Sequence, residues 1–163
     1  MLEIIDTVDS NLLLEEYSKI EHHIDWYITG TQGRQSCIQT RPNEPLCLDG
    51  CGSVSPDTNI TFYNHINPLI QNTIWQDLIE KYKMYRTRFL WINEMSCYSI
   101  HADSSPRIHI PIVTNPNAMF FFNTGGVRHL KLDNVYWVDT RRKHSFVNFS
   151  NMKRLHLVGC IEN

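Results

Sequence analysis

The sequence has no apolar run long enough to cross a membrane. Its longest early run, Leu12-Leu13-Leu14, has acidic residues on both sides. Neither a spanning helix nor a secretory leader is expected, and the expected location is cytoplasmic. A surplus of charge is also missing: 15 Lys and Arg face 17 Asp and Glu, leaving a formal net charge of −2. A balance of that kind gives neither nucleic acid nor an anionic membrane a reason to bind. Cysteine is scarce and odd in number, with Cys37, Cys47, Cys51, Cys97 and Cys160, which argues for reduced thiols over a disulfide framework. Cys47 and Cys51 have the spacing of half a zinc site, but no second Cys/His pair of the usual spacing lies nearby, so free thiols are expected. Repeats and low-complexity segments are absent. At 163 residues, one domain spanning 1–163 is expected, with no second folding unit and nothing to fix an oligomeric state.

What is present changes character near the middle. Asp9 or Ser10 can cap a helix over about 10–24, whose apolar residues Leu13, Leu14, Tyr17, Ile20 and Ile24 recur at helical steps. Ser36 to Thr40 reads as a strand. The Pro, Asn, Asp and Gly residues up to Thr58 make a long irregular connection, either a lid or substrate loop or a disordered segment. Asn67-Pro68 is a cap followed by a first-turn proline, and it predicts a second helix through Ile74, Leu78, Ile79 and Tyr82. From there the period becomes that of strands. Eight short extended segments are predicted: 88–93, 97–101, 107–113, 118–123, 128–132, 135–138, 145–149 and 154–161, separated by turns such as Ser104-Ser105-Pro106 and Asn115-Pro116-Asn117. Successive strands without intervening helices argue for an antiparallel double-sheet jelly roll, mainly β, over 86–161. The helical and loop part, 1–85, would buttress one sheet from outside with two helices.

Within that strand system sits a set of metal-ligand types. His101 and Asp103 are two residues apart and so share a face of an extended chain, and His144 can come from a neighbouring strand. Two imidazoles and a carboxylate suit a divalent non-haem iron with open positions opposite. A chain with eight histidines also produces a His-x-Asp triplet by chance, and a surface or capping cluster is the alternative. Arg154 shares a face with His156 and Val158. An inward arginine needs an anion, no nearby acid is an obvious structural partner, and a bound dicarboxylate would satisfy it.

Tyr98-Ser99-Ile100-His101-Ala102-Asp103, Arg107-Ile108-His109-Ile110-Pro111, His144-Ser145-Phe146-Val147-Asn148 and Arg154-Leu155-His156-Leu157 together resemble the aspartyl/asparaginyl beta-hydroxylase family, which includes proline cis-hydroxylases. The resemblance covers about residues 86–161. It implies a cupin-like core that binds Fe(II) through His101, Asp103 and His144 and uses 2-oxoglutarate and O2 to hydroxylate an aliphatic carbon, releasing succinate and CO2. The substrate would be a free amino acid such as proline, or a Pro, Asp or Asn residue of a peptide or protein. Arg154 would pair with the distal carboxylate of 2-oxoglutarate, and Arg107-x-His109 would lie beside the cosubstrate and substrate carboxylates. Protein-directed members can lack the carboxylate ligand, so Asp103 resembles the proline hydroxylase branch. Where those members carry a serine helping to hold 2-oxoglutarate, this chain has Leu90 or Trp91, and Tyr98 or Ser96 is the expected substitute.

Each residue has a plainer alternative. Arg107 could be a strand-edge charge paired with an acid, and His109 a buried neutral imidazole bonded to backbone. Packing is the default for His156. Trp91 is expected either at a pocket mouth, touching substrate, or in the core, and Asn148 is expected to orient a ligand by a hydrogen bond. The rival to an oxygenase is a cupin-like module that holds a metal or small ligand without turnover.

Overall fold

Ile108, Ile110 and Ile112 alternate with Arg107 and His109, and Leu155 and Leu157 alternate with Arg154, His156 and Val158. Successive strand residues point to opposite faces. These two strands, buried along almost their whole length, therefore present one purely aliphatic face and one carrying polar groups. The computed structural model describes every residue except Pro45, Pro56 and Asn163, and it is layered accordingly. Its elements are β1 (Leu2–Thr7), α1 (Ser10–Ile20), β2 (Tyr27–Ile28), β3 (Gly33–Cys37), β4 (Gln39–Thr40), β5 (His65–Ile66), α2 (Ile74–Lys81), β6 (Tyr85–Ile92), β7 (Ser96–Cys97), β8 (Arg107–Val113), β9 (Ala118–Phe122), β10 (Gly126–His129), β11 (Asn134–Val138), β12 (His144–Asn148) and β13 (Arg154–Cys160).

A seven-stranded sheet runs β1-β11-β8-β13-β6-β3-β2 and faces a four-stranded sheet, β10-β9-β12-β7, while β4 and β5 pair separately. All pairings are antiparallel. This is the jelly roll that the strand pattern predicts. Ile108, Ile110, Ile112, Leu155, Leu157 and Phe89 form the outer face of the large sheet, against Leu13, Tyr17 and Ile20 of α1 and Trp75, Leu78 and Ile79 of α2. Each such side chain, taken out of water, contributes roughly 1.5–3 kcal/mol. The second cluster lies between the sheets and includes Leu90, Ile92, Phe120, Tyr136, Val138, Phe146 and Val158. Arg154, His156 and His109 are buried beside it.

Three differences from the sequence pattern have local causes. The first helix is capped by Asp9, whose side chain accepts from Asn11 N and Leu12 N at 2.9 and 3.1 Å, but Leu14 is exposed. The second helix is split: Asn67 caps only a single 3-10 turn, Asn72 takes a φ of 58°, and Thr73 caps α2 afresh. The edge strand β1 carries no legible alternation, since Ile4 and Ile5 are exposed, and it is defined by pairing with β11.

Candidate metal centre

His101 and His144 meet in an isolated antiparallel bridge, with His101 N donating to His144 O at 2.9 Å and His144 N donating to His101 O at 2.8 Å. The bridge replaces the longer strand predicted for 97–101. Asp103 is brought in by its own backbone N–H, which donates to Thr140 O at 2.9 Å, and Thr140 is tied in turn to Ser105 O through its hydroxyl. One ligand atom from each of His101, Asp103 and His144 falls within 4.8 Å of the others. The Nε2 atoms stand 3.9 Å (His101) and 3.6 Å (His144) from the Asp103 carboxylate oxygens.

The ring orientations suit metal ligation. His101 Nδ1 lies 2.7 Å from Ser99 O and His144 Nδ1 lies 2.9 Å from Arg142 O. A carbonyl only accepts, so both Nδ1 atoms carry the proton and both Nε2 lone pairs point at Asp103. His144 is also stacked on Phe120, with ring centroids 5.3 Å apart, and burial pushes its pKa down, which keeps the imidazole neutral. Asp103 Oδ2 is buried without a hydrogen-bond partner. Two imidazoles and a carboxylate with a free oxygen fit a divalent iron.

Behind this face the interior is cationic. Arg107 Nη2 is 2.5 Å from Asp103 Oδ1. Arg154 is 1% exposed and stacks its guanidinium over the Phe146 ring at 3.8 Å, with no carboxylate partner among the described residues. Burial draws its pKa down to about 9, so it remains charged at neutral pH. His156 Nδ1 accepts from Arg154 Nη2. Burial and the Arg154 charge hold His156 and His109 well below the ordinary imidazole range, so both are neutral. The Tyr98 hydroxyl, Arg154 Nε, His156 Nε2 and both ring nitrogens of His109 are buried and unpartnered. Orphaned polar atoms of this number are rare in a folded interior and call for a ligand or ordered water.

The architecture has solved counterparts. An oxidoreductase of the 2OG-Fe(II) oxygenase family from Burkholderia pseudomallei superposes with a TM-score of 0.57 at 12% identity, over 90% of this chain and 76% of that one. A prolyl-4-hydroxylase from Pseudomonas putida gives 0.54 at 11% identity, over 100% and 92%. A DMSP lyase from Ruegeria pomeroyi gives 0.54 at 9%, over 100% and 78%. The fold is a cupin-like jelly roll. No family model matches the chain, and no curated protein matches it in sequence. At these identities the likeness carries the fold alone, and chemistry has to be argued from the site.

The remaining site residues divide. Tyr98 and His109 lie in the barrel interior with Arg154. Arg107 is there too, but its guanidinium is engaged by Asp103, so it acts first on a metal-ligand candidate, and its Nε is buried without a partner. Trp91 is not at the site. Leu90 and Ile92 face inward, and one residue of parity turns Trp91 to the helical layer, where Nε1 donates to the Tyr17 hydroxyl at 2.8 Å. Asn148 is also corrected: it sits at the far end of β12 from His144, where its amide donates to Asn93 O and Met152 O and its carbonyl accepts from Asn115. Those bonds leave it nothing to offer a substrate. Ser96 is likewise committed, to Gln32 O and Asn93 O. Sequence reasoning missed Arg88, which shares the inner face of β6 with Leu90 and Ile92. Its two-residue spacing from them was the available signal.

Proposed function

We propose that the chain is an Fe(II)- and 2-oxoglutarate-dependent dioxygenase that hydroxylates an aliphatic carbon of an amino acid, either free, as with proline, or as a Pro, Asp or Asn residue of a peptide or protein. One observation carries the reading: a His/Asp/His group borders the same interior as a buried, charged arginine that lacks a carboxylate partner among the described residues. A buried unpaired charge costs several kcal/mol, and a cosubstrate carboxylate is the ligand that offsets that cost. When bound, Fe(II) with 2-oxoglutarate and O2 supplies C–H hydroxylation, with succinate and CO2 as co-products.

The protein's own residues hold and orient. His101, Asp103 and His144 would take the iron through two fixed Nε2 lone pairs and a carboxylate oxygen. Arg107 would hold the Asp103 carboxylate in place through its contact with Oδ1. Arg154 would take the distal carboxylate of 2-oxoglutarate, with Phe146 covering one face of the guanidinium against water. The Tyr98 hydroxyl adds a donor where related hydroxylases use serine. The resemblance to the aspartyl/asparaginyl beta-hydroxylase family, with Asp103 present, favours the proline hydroxylase branch.

The DMSP lyase among the fold neighbours keeps a cupin-like module without oxygenase turnover as the second reading. Iron-dependent conversion of 2-oxoglutarate to succinate, measured with free amino acids and with peptides, separates the two. Succinate that disappears with Arg154→Met supports the oxygenase. Bound iron and 2-oxoglutarate with no succinate for any amino acid or peptide supports the binding module.

A further inference from the structure

A second reactive cluster lies behind β3 and uses none of the residues assigned above to iron or cosubstrate. Cys37, at the end of β3, is fully buried, and its sulfur lies 3.6 Å from that of Cys51 in the following loop. Cys51 is only partly buried, the more exposed of the two. The approach is built into the backbone. Gly50 and Gly52 flank Cys51 with φ of +80° and +69°, which glycine takes readily and other residues do not. A Cβ at Gly50 would also stand 2.8 Å from the Tyr63 ring and 3.3 Å from Cys37 Sγ.

Two buried guanidiniums fasten the same three residues. Arg86 donates from Nε to Gly50 O at 2.8 Å and from Nη2 to Gly52 O at 2.7 Å. Arg88 donates to Gln35 Oε1 at 3.1 Å, and that oxygen also accepts from Gly52 N at 3.2 Å. Neither arginine has a carboxylate partner among the described residues. The anion-capable groups that act on them electrostatically are mostly thiols: Cys160 and Cys37 on both, and Cys51, with the Asp103 carboxylate, on Arg88. A hydrogen bond with Cys37 and the charges of Arg88 and Arg86 lower the Cys51 pKa against its burial, whereas burial pushes the Cys37 thiol up.

We propose that Cys37 and Cys51 form a peroxide-reactive dithiol that closes to a disulfide and pins the 47–52 loop to β3. Cys51 is the attacking thiolate, because it is the more exposed of the two and faces the positive charge. Its sulfur bonds to one oxygen of hydrogen peroxide as the O–O bond breaks. The departing hydroxide takes a proton and leaves as water, and Cys51 becomes a sulfenic acid. The Cys37 sulfur then attacks that sulfenic sulfur and loses its proton as the hydroxyl leaves as a second water. Two thiols are oxidised and one peroxide is reduced. The sulfurs need only close from 3.6 Å to about 2.05 Å. Arg88 also feels Asp103 electrostatically, so the dithiol shares one cation with the candidate metal centre.

The test is hydrogen peroxide titration of the reduced full chain, read by intact mass and by peptide mapping without reduction. The expected result is loss of two hydrogen masses, a peptide linked through Cys37 and Cys51, a fall from five titratable thiols to three, and full reversal by dithiothreitol. Cys51→Ser should abolish the link. Cys37→Ser should leave a Cys51 sulfenic acid that dimedone captures. Oxidation confined to the exposed Cys97, or oxygen added to Cys51 in the wild-type chain without a link to Cys37, overturns the proposal. The wild-type peptide map decides the matter even if a variant does not fold.

Discussion

Arg107 and Asp103 are joined by a contact of 2.5 Å between Nη2 and Oδ1, so the only carboxylate of the candidate metal centre is already shared with an arginine four residues later. The pair spans the turn before β8 and fixes one carboxylate oxygen, leaving Oδ2 for a metal. If Asp103 ligates a metal, ligation and local stability are coupled through these two side chains.

Replacing Asp103 with Ala should therefore do two things. It removes a ligand, so iron binding is lost, and it strands the mostly buried Arg107, at a cost of about 3 kcal/mol. Adding Arg107→Met should restore most of the stability and none of the iron binding. Chemical denaturation and iron titration read the two effects separately, and a double variant as unstable as Asp103→Ala would show that the pair is not the source of the cost.

Arg154→Met should raise the stability of the ligand-free protein, because a buried charge without a carboxylate partner among the described residues is exchanged for an apolar side chain of similar length. The gain is on the order of 1–4 kcal/mol. Binding of 2-oxoglutarate, followed calorimetrically, should fall at the same time by at least about tenfold, a loss of about 1.4 kcal/mol. A destabilised Met variant would mean that the guanidinium is a structural prop.

His109 and His156 make the fold sensitive to acid. Both are held neutral, well below the ordinary value of 6.5, so below pH 6.5 the unfolded chain binds protons that the folded chain refuses. Stability is then fully present above that pH and falls as pH drops, by about 2.7 kcal/mol per unit for the two groups together. Denaturation midpoints between pH 7 and 5 measure the slope, and His156→Phe should reduce it by half.

Trp91→Phe should cost about 1 kcal/mol of stability through the lost bond to the Tyr17 hydroxyl. Iron and 2-oxoglutarate binding should be unchanged, since the indole faces the helices. A change in either affinity would place Trp91 at the site after all.

The parts of the site visible in the sequence were those that follow strand parity. His101 and Asp103, two apart, and Arg154 and His156, two apart, point the same way in any extended chain, and their neighbours Leu155 and Leu157 mark the other face. What stayed hidden depended on one residue of register or on contacts distant in sequence. Trp91 differs from Leu90 by a single step, and nothing local fixed which of them looks inward. Asn148 has a donor and an acceptor that suit a ligand as well as they suit Asn93, Met152 and Asn115, and only tertiary placement decided. The split of the second helix turned on Asn72, a residue type that tolerates positive φ without announcing it.

The His101–His144 bridge sets the spacing of two ligands through main-chain bonds, so their Cα positions do not depend on which side chains they carry. A metal captured by these residues would meet the geometry already set, with little ordering left to do. The same scaffold could be reprogrammed for a different metal by exchanging donor atoms at 101, 103 and 144 while the backbone stays where it is.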